Sequence, residues 1–173
     1  MAQNLLTDNQ ADIETDTTGL AAQAGATITR VVTELRHGEA SLRTVTDNLT
    51  ANEGFRAGSV DVSASQTYTA SVWLMGAAGT VKVFISERNA ADGNIATDGG
   101  VTVTLNGTWV RTSITRAFGA LGVKARISVQ TPTQQGITFY ADCLQVEQSD
   151  GVTPWRLPSG WGRRNAGRDL VVL

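Results

Sequence analysis

The stretch of sequence that decides the fold is Ile137-Thr-Phe-Tyr-Ala-Asp-Cys-Leu-Gln-Val-Glu147, which is followed by Thr153-Pro-Trp155. Successive side chains of a β-strand point to opposite faces of its sheet. With this period of two residues, four side chains are predicted to share one face, namely Tyr140, Asp142, Leu144 and Val146. The Asp142 carboxylate then lies among apolar neighbours, and burying an unpaired charge is costly. We therefore expect Asp142 to be hydrogen-bonded, to pair with a cation or to bind a metal ion.

Short alternating segments separated by turns extend over most of the chain. The clearest pair comprises residues 101–105 and 108–115, because Asn106-Gly107 between them is the favoured dipeptide of a type I′ hairpin turn. A helix is suggested only near residues 11–23. Strands that follow one another without intervening helices favour an all-β fold, an antiparallel β-sandwich. We expect this sandwich to occupy residues 1–155.

The composition narrows the classes of function. The 173 residues carry a formal net charge of -2, which leaves no basic footprint for nucleic acid or for an anionic membrane surface. Cys143 is the single cysteine, so no internal disulfide can form. The N-terminus lacks the pattern of a secretory signal, and no apolar stretch approaches the ~20 residues of a membrane-spanning helix. We therefore expect a protein made and kept in a cytoplasm, although a chain whose export signal had been removed would look the same.

Residues 156–173 form a different kind of segment, which we predict to be an extended C-terminal docking arm. They show no strand or helix period before their apolar end, and their arginines outnumber their acidic residues. Arg and Trp are typical anchors of protein interfaces, so we expect the arm to bind neighbouring subunits. A flexible tail is the alternative. The predicted partner-binding residues are Trp155, Leu157, Trp161, Arg163, Arg164, Arg168, Leu170 and Leu173.

Six segments, taken in order, carry a resemblance to a known family. They are Asn4-Leu-Leu-Thr7, Glu14-Thr-Asp-Thr-Thr-Gly19, His37-Gly-Glu-Ala-Ser-Leu42, Thr67-Tyr-Thr-Ala-Ser-Val-Trp73, Asn106-Gly-Thr-Trp109 and Phe139-Tyr-Ala-Asp-Cys-Leu-Gln-Val-Glu147, and Thr153-Pro-Trp155 closes the match. The set resembles the jelly-roll modules of carbohydrate-binding type that recur in bacteriophage tail and head proteins. The resemblance covers residues 4–155 and implies a jelly-roll sandwich. Leu20 departs from the pattern, because such modules usually carry a Trp after the Gly.

A structural calcium ion is one implication of this resemblance. Related jelly rolls often hold calcium between an acidic residue near the first strand and an Asp in the last strand. Glu14 and Asp142 occupy the corresponding positions, and the carbonyl of Gly38 is a third candidate ligand. Oxygen-rich sites of this kind suit a hard cation. The alternative is that Asp142 accepts backbone N–H groups and that the acidic residues near Glu14 are solvated.

Glycan binding is a second implication, since aromatic side chains on a sheet can stack on sugar rings while amides and charged groups complete the hydrogen bonds. Trp73 and Phe84 fall on the faces opposite the strongest apolar rows of their strands. Arg126 and Gln130 alternate with an apolar row of their own and are predicted to join them. A sandwich face covered by another subunit would show the same pattern.

Catalysis finds little support in the sequence, and we predict that the chain is not an enzyme. His37 is the single histidine and lies in a turn-like segment without a nearby nucleophile signature. Cys143 has no obvious activating partner. The sequence also lacks a phosphate loop, a cysteine cluster and a nucleophile elbow.

These observations favour a bacteriophage virion structural protein, either a capsid decoration protein or a minor tail protein. Its predicted partners are the major capsid or tail proteins of the same virion, and homo-oligomerisation, most plausibly as a trimer, is implied by the way virion jelly rolls usually assemble. The alternative is a free-standing glycan-binding module or phage adhesin that contacts host surface carbohydrate.

Overall fold

A computed structural model describes residues 2–97 and 99–158 of the chain. In these residues it contains one short helix and twelve strands. The helix is α1 (Asp8–Asp12). The strands are β1 (Leu20–Gln23), β2 (Thr27–Val31), β3 (Ser41–Val45), β4 (Gly54–Ala57), β5 (Val60–Asp61), β6 (Thr67–Met75), β7 (Thr80–Arg88), β8 (Asn94–Thr97), β9 (Val101–Thr104), β10 (Val110–Ala117), β11 (Lys124–Gln130) and β12 (Thr138–Gln148).

The strands form two antiparallel sheets. The seven-stranded sheet has the order β1-β4-β11-β7-β8, with β5 pairing with β11 and β9 pairing with β7. The five-stranded sheet has the order β10-β6-β12-β3-β2. The predicted all-β antiparallel sandwich is therefore confirmed. Within the described residues, the structure has no helix that is both long and apolar enough to cross a membrane.

The core lies between the two sheets and is built from alternate residues of their central strands. Its rows run along β6, β7 and β11, and their members are almost completely inaccessible to solvent: Tyr68, Ala70, Val72, Leu74, Val81, Val83, Ile85, Ala125, Ile127 and Val129. Burying one large apolar side chain contributes about 1.5 to 3 kcal/mol to folding. The intervening residues of the same strands face outward, as the period of two predicts.

A β-bulge at Cys143 changes the register of the last strand. Asp142 pairs with Trp73 of β6, but the next paired residue, Gln145, lies opposite Ser71, so β12 contains one extra residue at this point. Cys143 has a φ of 54°, in the left-handed region. The prediction that Tyr140, Asp142, Leu144 and Val146 share a face is therefore wrong. Tyr140 and Asp142 belong to the outer face, whereas Leu144 and Val146 belong to the core.

The Asn106-Gly107 turn does not close a hairpin. β9 pairs with β7 in the seven-stranded sheet, and β10 pairs with β6 in the five-stranded sheet. The turn therefore connects the two sheets. Asn106 accepts hydrogen bonds from the N–H and the hydroxyl of Thr108, and the N–H of Gly107 donates to the carbonyl of Gly76, which directs the chain away from β9. The predicted type I′ hairpin is wrong because these tertiary bonds outweigh the local turn preference.

The helix is shorter and begins earlier than the residues 11–23 suggested by the sequence. Thr7 caps its N-terminus in a capping box with Gln10, and the helix ends where Ile13 adopts a φ of 59°. The side-chain amide of Gln10 donates to the carbonyl of Gly19, which holds the following turn against the helix. Residues 20–23 then form β1, because they pair with β4.

The close approach of β4 and β11 can be tested at Gly54. A Cβ atom at this position would overlap the carbonyl oxygen of Val129, which is backbone and cannot move without separating the strands. We expect Gly54→Ala to lower the free energy of unfolding by about 1 to 3 kcal/mol in urea denaturation. Gly151→Ala is the matched control, because a Cβ at Gly151 meets open space. Equal stabilities of the two variants would contradict this account of the strand pairing.

Candidate functional site

Asp142 lies at the bulge of β12 and is completely buried. Its Oδ2 atom accepts hydrogen bonds from the backbone N–H groups of Arg36 and His37, at 3.1 and 2.9 Å, and its Oδ1 atom accepts one from Cys143 at 2.6 Å. Burial raises the pKa of Asp142 to about 7, against the opposing effect of these hydrogen bonds. The carboxylate thus fastens the loop of residues 32–40 to the five-stranded sheet. Hydrogen bonding to backbone N–H groups was one of the arrangements expected from the sequence.

Glu14 holds the other side of the same loop. Its Oε1 atom accepts hydrogen bonds from the N–H groups of Glu39 and Ala40, at 2.8 and 3.4 Å, and its side chain packs against Gly38. The guanidinium of Arg30 donates to the carbonyl oxygens of Ile13 and Glu14.

The predicted calcium ligands Glu14, Asp142 and Gly38 therefore do flank one loop, but Oε1 of Glu14 and both carboxylate oxygens of Asp142 accept backbone N–H groups. A calcium ion bound to these oxygen atoms would have to displace the N–H donors. In residues 2–97 and 99–158, three or more His, Cys, Asp or Glu side chains are nowhere grouped to hold a metal ion. Structural calcium stays a prediction.

The outer face of the five-stranded sheet is covered by two segments of the chain. The guanidinium of Arg36 lies 4.0 Å from the centre of the Trp73 ring. On the neighbouring strand, the Glu147 carboxylate accepts hydrogen bonds from the N–H and hydroxyl of Thr153, and Gln145 accepts one from the N–H of Arg156. Residues 149–156 and the loop of residues 32–40 therefore cover much of the surface on which a ligand of Trp73 would rest.

Trp155, one of the predicted partner-binding residues, packs against its own domain. Its ring lies 4.6 Å from that of His37, and its Nε1 atom donates to the carbonyl of Leu144. Leu157 is partly exposed. The remaining residues of the predicted arm, Trp161, Arg163, Arg164, Arg168, Leu170 and Leu173, lie outside the described residues. Docking by this arm stays a prediction.

The seven-stranded sheet, by contrast, carries an open groove of about 250 Å³ on its outer face. β7 contributes Phe84, Ser86 and Arg88 to its lining, and β8 contributes Asn94 and Thr97. The three residues of β7 face outward because they alternate with residues of the same strand that face the core. The core-facing residues are Val83, Ile85 and Glu87.

The opposite side of the groove comes from three other strands. β11 contributes Arg126, Ser128 and Gln130, while Gln23 comes from β1 and Arg56 from β4. In the sheet register, Arg56 lies beside Ser128, and Ser128 lies beside Phe84. Neighbouring strands are about 4.8 Å apart, so Arg56 and Phe84 lie roughly 10 Å from one another across the groove.

Phe84 is the aromatic residue of the groove, and the backbone of the loop after β8 supports one part of its ring. A Cβ atom on Gly100 would lie 2.7 Å from Cε1 of Phe84, and Gly100 has a φ of +75°. Glycine at this position therefore allows the loop to approach the ring closely. The Nζ atom of Lys82 donates to the carbonyl of Gly99 and ties the loop to β7.

Polar side chains around Phe84 are held in place by one another. The Gln130 amide donates to Oε1 of Gln23 at 2.9 Å, which joins β11 to β1 across β4. Arg126 donates to Ser59 at 3.0 Å and to Asp92, and Arg88 donates to Oδ1 of Asp92 at 2.7 Å. Burial acts to raise the pKa of Asp92, but hydrogen bonds from Ser59 and Arg88 and the positive charges of both arginines outweigh it and lower the pKa to about 2. Asp92 therefore stays ionised at any ordinary pH.

The structure brings together three of the four predicted glycan-binding residues, Phe84, Arg126 and Gln130, and places Trp73 on the other sheet. Sequence reasoning missed the other seven lining residues, namely Gln23, Arg56, Ser86, Arg88, Asn94, Thr97 and Ser128. Alternation alone identifies Arg88 as outward-facing, because it lies four residues after Phe84 on the same strand. The position of β1, β4 and β8 around the groove depends on strand order, which alternation does not determine.

The two residues considered for catalysis have structural roles. The His37 ring contacts the Trp155 ring at a tilt of 53°, and the backbone N–H of His37 donates to Asp142. The Cys143 thiol is buried, and burial together with the Asp142 charge raises its pKa well above the usual range, which suppresses the reactive thiolate. Neither residue lines the groove.

Comparison with known proteins identifies the fold. The sequence matches no protein-family model and no curated protein. The CBM22-1 xylan-binding domain of Xyn10C from Paenibacillus barcinonensis superposes with a TM-score of 0.64 at 16% sequence identity, covering 87% of this chain and 97% of that chain. The CBM22-1 and GH10 modules of xylanase Xyn10B from Clostridium thermocellum give a TM-score of 0.68 at 15% identity, covering 89% and 30% of the two chains.

A bacteriophage domain is also similar. The enzymatically active domain of tailspike protein 4 from bacteriophage CBA120 gives a TM-score of 0.65 at 13% identity, covering 83% of this chain and 21% of that chain. All three identities are so low that they establish the fold alone. The fold is that of carbohydrate-binding jelly-roll modules, and this part of the predicted resemblance is confirmed. A virion origin stays a prediction.

The proton on Asp142 should make stability depend on pH. The folded chain holds this proton more tightly than the unfolded chain, in which Asp has its ordinary pKa of 3.8. The stabilisation that the proton contributes to the folded state is therefore complete below pH 3.8 and is lost as the pH rises through about 7. We expect the free energy of unfolding to fall by roughly 2 to 3 kcal/mol between pH 5 and pH 8 on account of this group. Urea denaturation at both pH values measures the difference.

Asp142→Asn supplies the control, since the amide cannot titrate. Whatever the absolute stability of this variant, its free energy of unfolding should not show the fall between pH 5 and pH 8 that is due to Asp142. The amide NMR signals of His37 and Cys143 in the unaltered protein should also shift with a midpoint near pH 7. A midpoint near pH 4 would show that Asp142 is ionised at neutral pH.

Proposed function

We propose that the chain is a saccharide-binding module that holds a polysaccharide or oligosaccharide in the groove of the seven-stranded sheet. The observation that carries the proposal is the placement of Phe84 among amides, hydroxyls and guanidinium groups on one open surface. The C–H groups on the face of a sugar ring pack on an aromatic side chain, and its hydroxyl groups need polar partners. The groove offers both.

The groove is also built on rigid elements. Eight of its ten lining residues come from β7, β11, β4 and β1, which are hydrogen-bonded to one another in a continuous sheet. The Gln130–Gln23 and Arg126–Asp92 contacts limit the rotamers of side chains that a ligand would meet. Side chains held in advance lose less conformational entropy when a ligand binds.

The kind of saccharide is suggested by the similar structures. Several of them are xylan-binding domains, and one is a complex with xylohexaose. A groove open along its length accepts an internal segment of a linear chain as well as its end. Xylo-oligosaccharides are therefore the first probes, followed by an array of other glycans. Because the neighbours described as xylan-binding domains are binding modules, this reading involves no catalysis by the chain itself.

Attachment to a virion is the second candidate function, supported by the similarity to a domain of a bacteriophage tailspike. The two functions are compatible, because a saccharide-binding module can be carried by a larger particle. Contacts with capsid or tail proteins, trimerisation and location in a virion belong to this candidate. Mass spectrometry of purified particles, with copy number per particle, tests it directly.

Removing the aromatic ring is the direct test of saccharide binding. We expect Phe84→Ala to weaken the binding of the tightest glycan found on the array at least about tenfold in isothermal titration calorimetry, as is typical for a central aromatic anchor. Gln130→Ala, which removes a hydrogen-bonding group without touching the ring, should weaken it less but measurably.

Trp73→Ala is the matched control, because it removes an aromatic side chain from the outer face of the other sheet. The affinity of Trp73→Ala for the same glycan should equal that of the unaltered protein. If Trp73→Ala abolishes binding and Phe84→Ala does not, the ligand occupies the five-stranded sheet instead. If no glycan binds at millimolar concentration, the proposed function is wrong.

A further inference from the structure

The charges of the groove suggest which class of saccharide it accepts. Three of its lining residues are arginines, namely Arg56, Arg88 and Arg126, and none of the ten is an aspartate or glutamate. This cluster occurs in a chain whose formal net charge is -2. The groove is therefore a local cationic region on a slightly acidic protein.

Among residues 2–97 and 99–158, one carboxylate pairs with these arginines and compensates part of their charge. Asp92 contacts both Arg88 and Arg126 from the edge of the groove. The pKa of Arg126 is lowered, first by burial and then by the positive charge of Arg88, and Arg56 adds a smaller effect in the same direction. Three guanidinium groups thus share one nearby counter-charge, and adding an anion to the groove would relieve their repulsion.

Arg56 is the guanidinium group best placed to bind that anion. It is exposed, and it lies across Ser128 from Phe84. A pyranose ring stacked on Phe84 spans about half of the roughly 10 Å between the two residues, so a carboxylate on the ring or on a branching sugar comes within reach of Arg56. Guanidinium groups bind carboxylates through two parallel hydrogen bonds, which lysine cannot do.

We propose that the groove selects acidic saccharides, with a uronic acid carboxylate bound by Arg56 beside the Arg88–Arg126 pair while a sugar ring stacks on Phe84. This inference rests on the proposed function and specifies its ligand class. Single-stranded nucleic acid also combines negative charge with rings that stack. However, the groove has one aromatic residue, whereas binding of successive bases uses several.

The test compares acidic polysaccharides with their carboxyl-reduced counterparts, in which each carboxylate has become a hydroxymethyl group. Glucuronoxylan, polygalacturonate, alginate and hyaluronan form the panel, and affinities are measured by calorimetry in 20 mM and 500 mM NaCl. We expect at least one acidic member to bind about tenfold more tightly than its reduced form at low salt, since a hydrogen bond to a charged group is worth roughly that factor. The advantage should shrink at high salt, where charges on an open surface are screened.

Arg56→Gln should remove most of this preference, measured as the ratio of the affinities for the acidic and the reduced polysaccharide. Lys124→Gln is the matched control, because it removes one positive charge from the same sheet face at a residue outside the groove that already pairs with Asp61 at 3.3 Å. Lys124→Gln should keep the preference for the acidic polysaccharide over its carboxyl-reduced form.

Three results would overturn the inference. If the acidic and reduced forms bind equally, the groove binds saccharides but does not select acids, and the proposed function survives. If no member of the panel and no neutral glycan binds, the proposed function fails as well. Tighter binding of a thymidine oligonucleotide than of every acidic glycan would assign the groove to nucleic acid.

Discussion

Buried carboxylates that accept backbone N–H groups hold the loops of this protein in place. Asp142 binds the loop of residues 32–40, Glu53 accepts the N–H groups of Asp47 and Thr50 at 2.6 and 2.9 Å, and Glu87 accepts that of Gly119 at 2.8 Å. A chain with little helix leaves many loop N–H groups without partners, and a buried unpaired N–H is costly. A carboxyl oxygen in a low-dielectric surrounding is a strong acceptor for these N–H groups, so each carboxyl group and its loop stabilise one another.

This interaction also determines which face of the sandwich is free. Asp142 and Glu147, both on β12, draw residues 32–40 and 149–156 over the outer face of the five-stranded sheet. Trp73 lies on that face, where Arg36 covers its ring. The seven-stranded sheet keeps an open groove around Phe84. The same carboxylates that complete the fold therefore leave the outer face of the seven-stranded sheet open.

The groove combines rigidity with an unsatisfied charge. Its side chains stand on paired strands, and their mutual hydrogen bonds reduce the rotamers that must be ordered when a ligand binds. At the same time, three arginines line the groove, and Asp92 is the carboxylate that pairs with two of them among the described residues. Rigid stacking and polar groups favour a sugar ring in general, while the arginines favour one that carries a carboxylate. Phe84 supplies the aromatic surface and Arg56 supplies charge, so substitutions at these two positions separate the two properties.

The sequence by itself determined the apolar rows of β6, β7 and β11, and hence an antiparallel sandwich, because alternation is a local property of each strand. It also showed that Phe84, Arg126 and Gln130 face away from the core. Only the tertiary structure decided the bulge at Cys143, the separation of β9 from β10 and the placement of Gln23 and Arg56 beside Phe84. These features depend on which distant strands pair and in what register. That choice follows from hydrogen bonds between segments far apart in the chain, which no local pattern encodes.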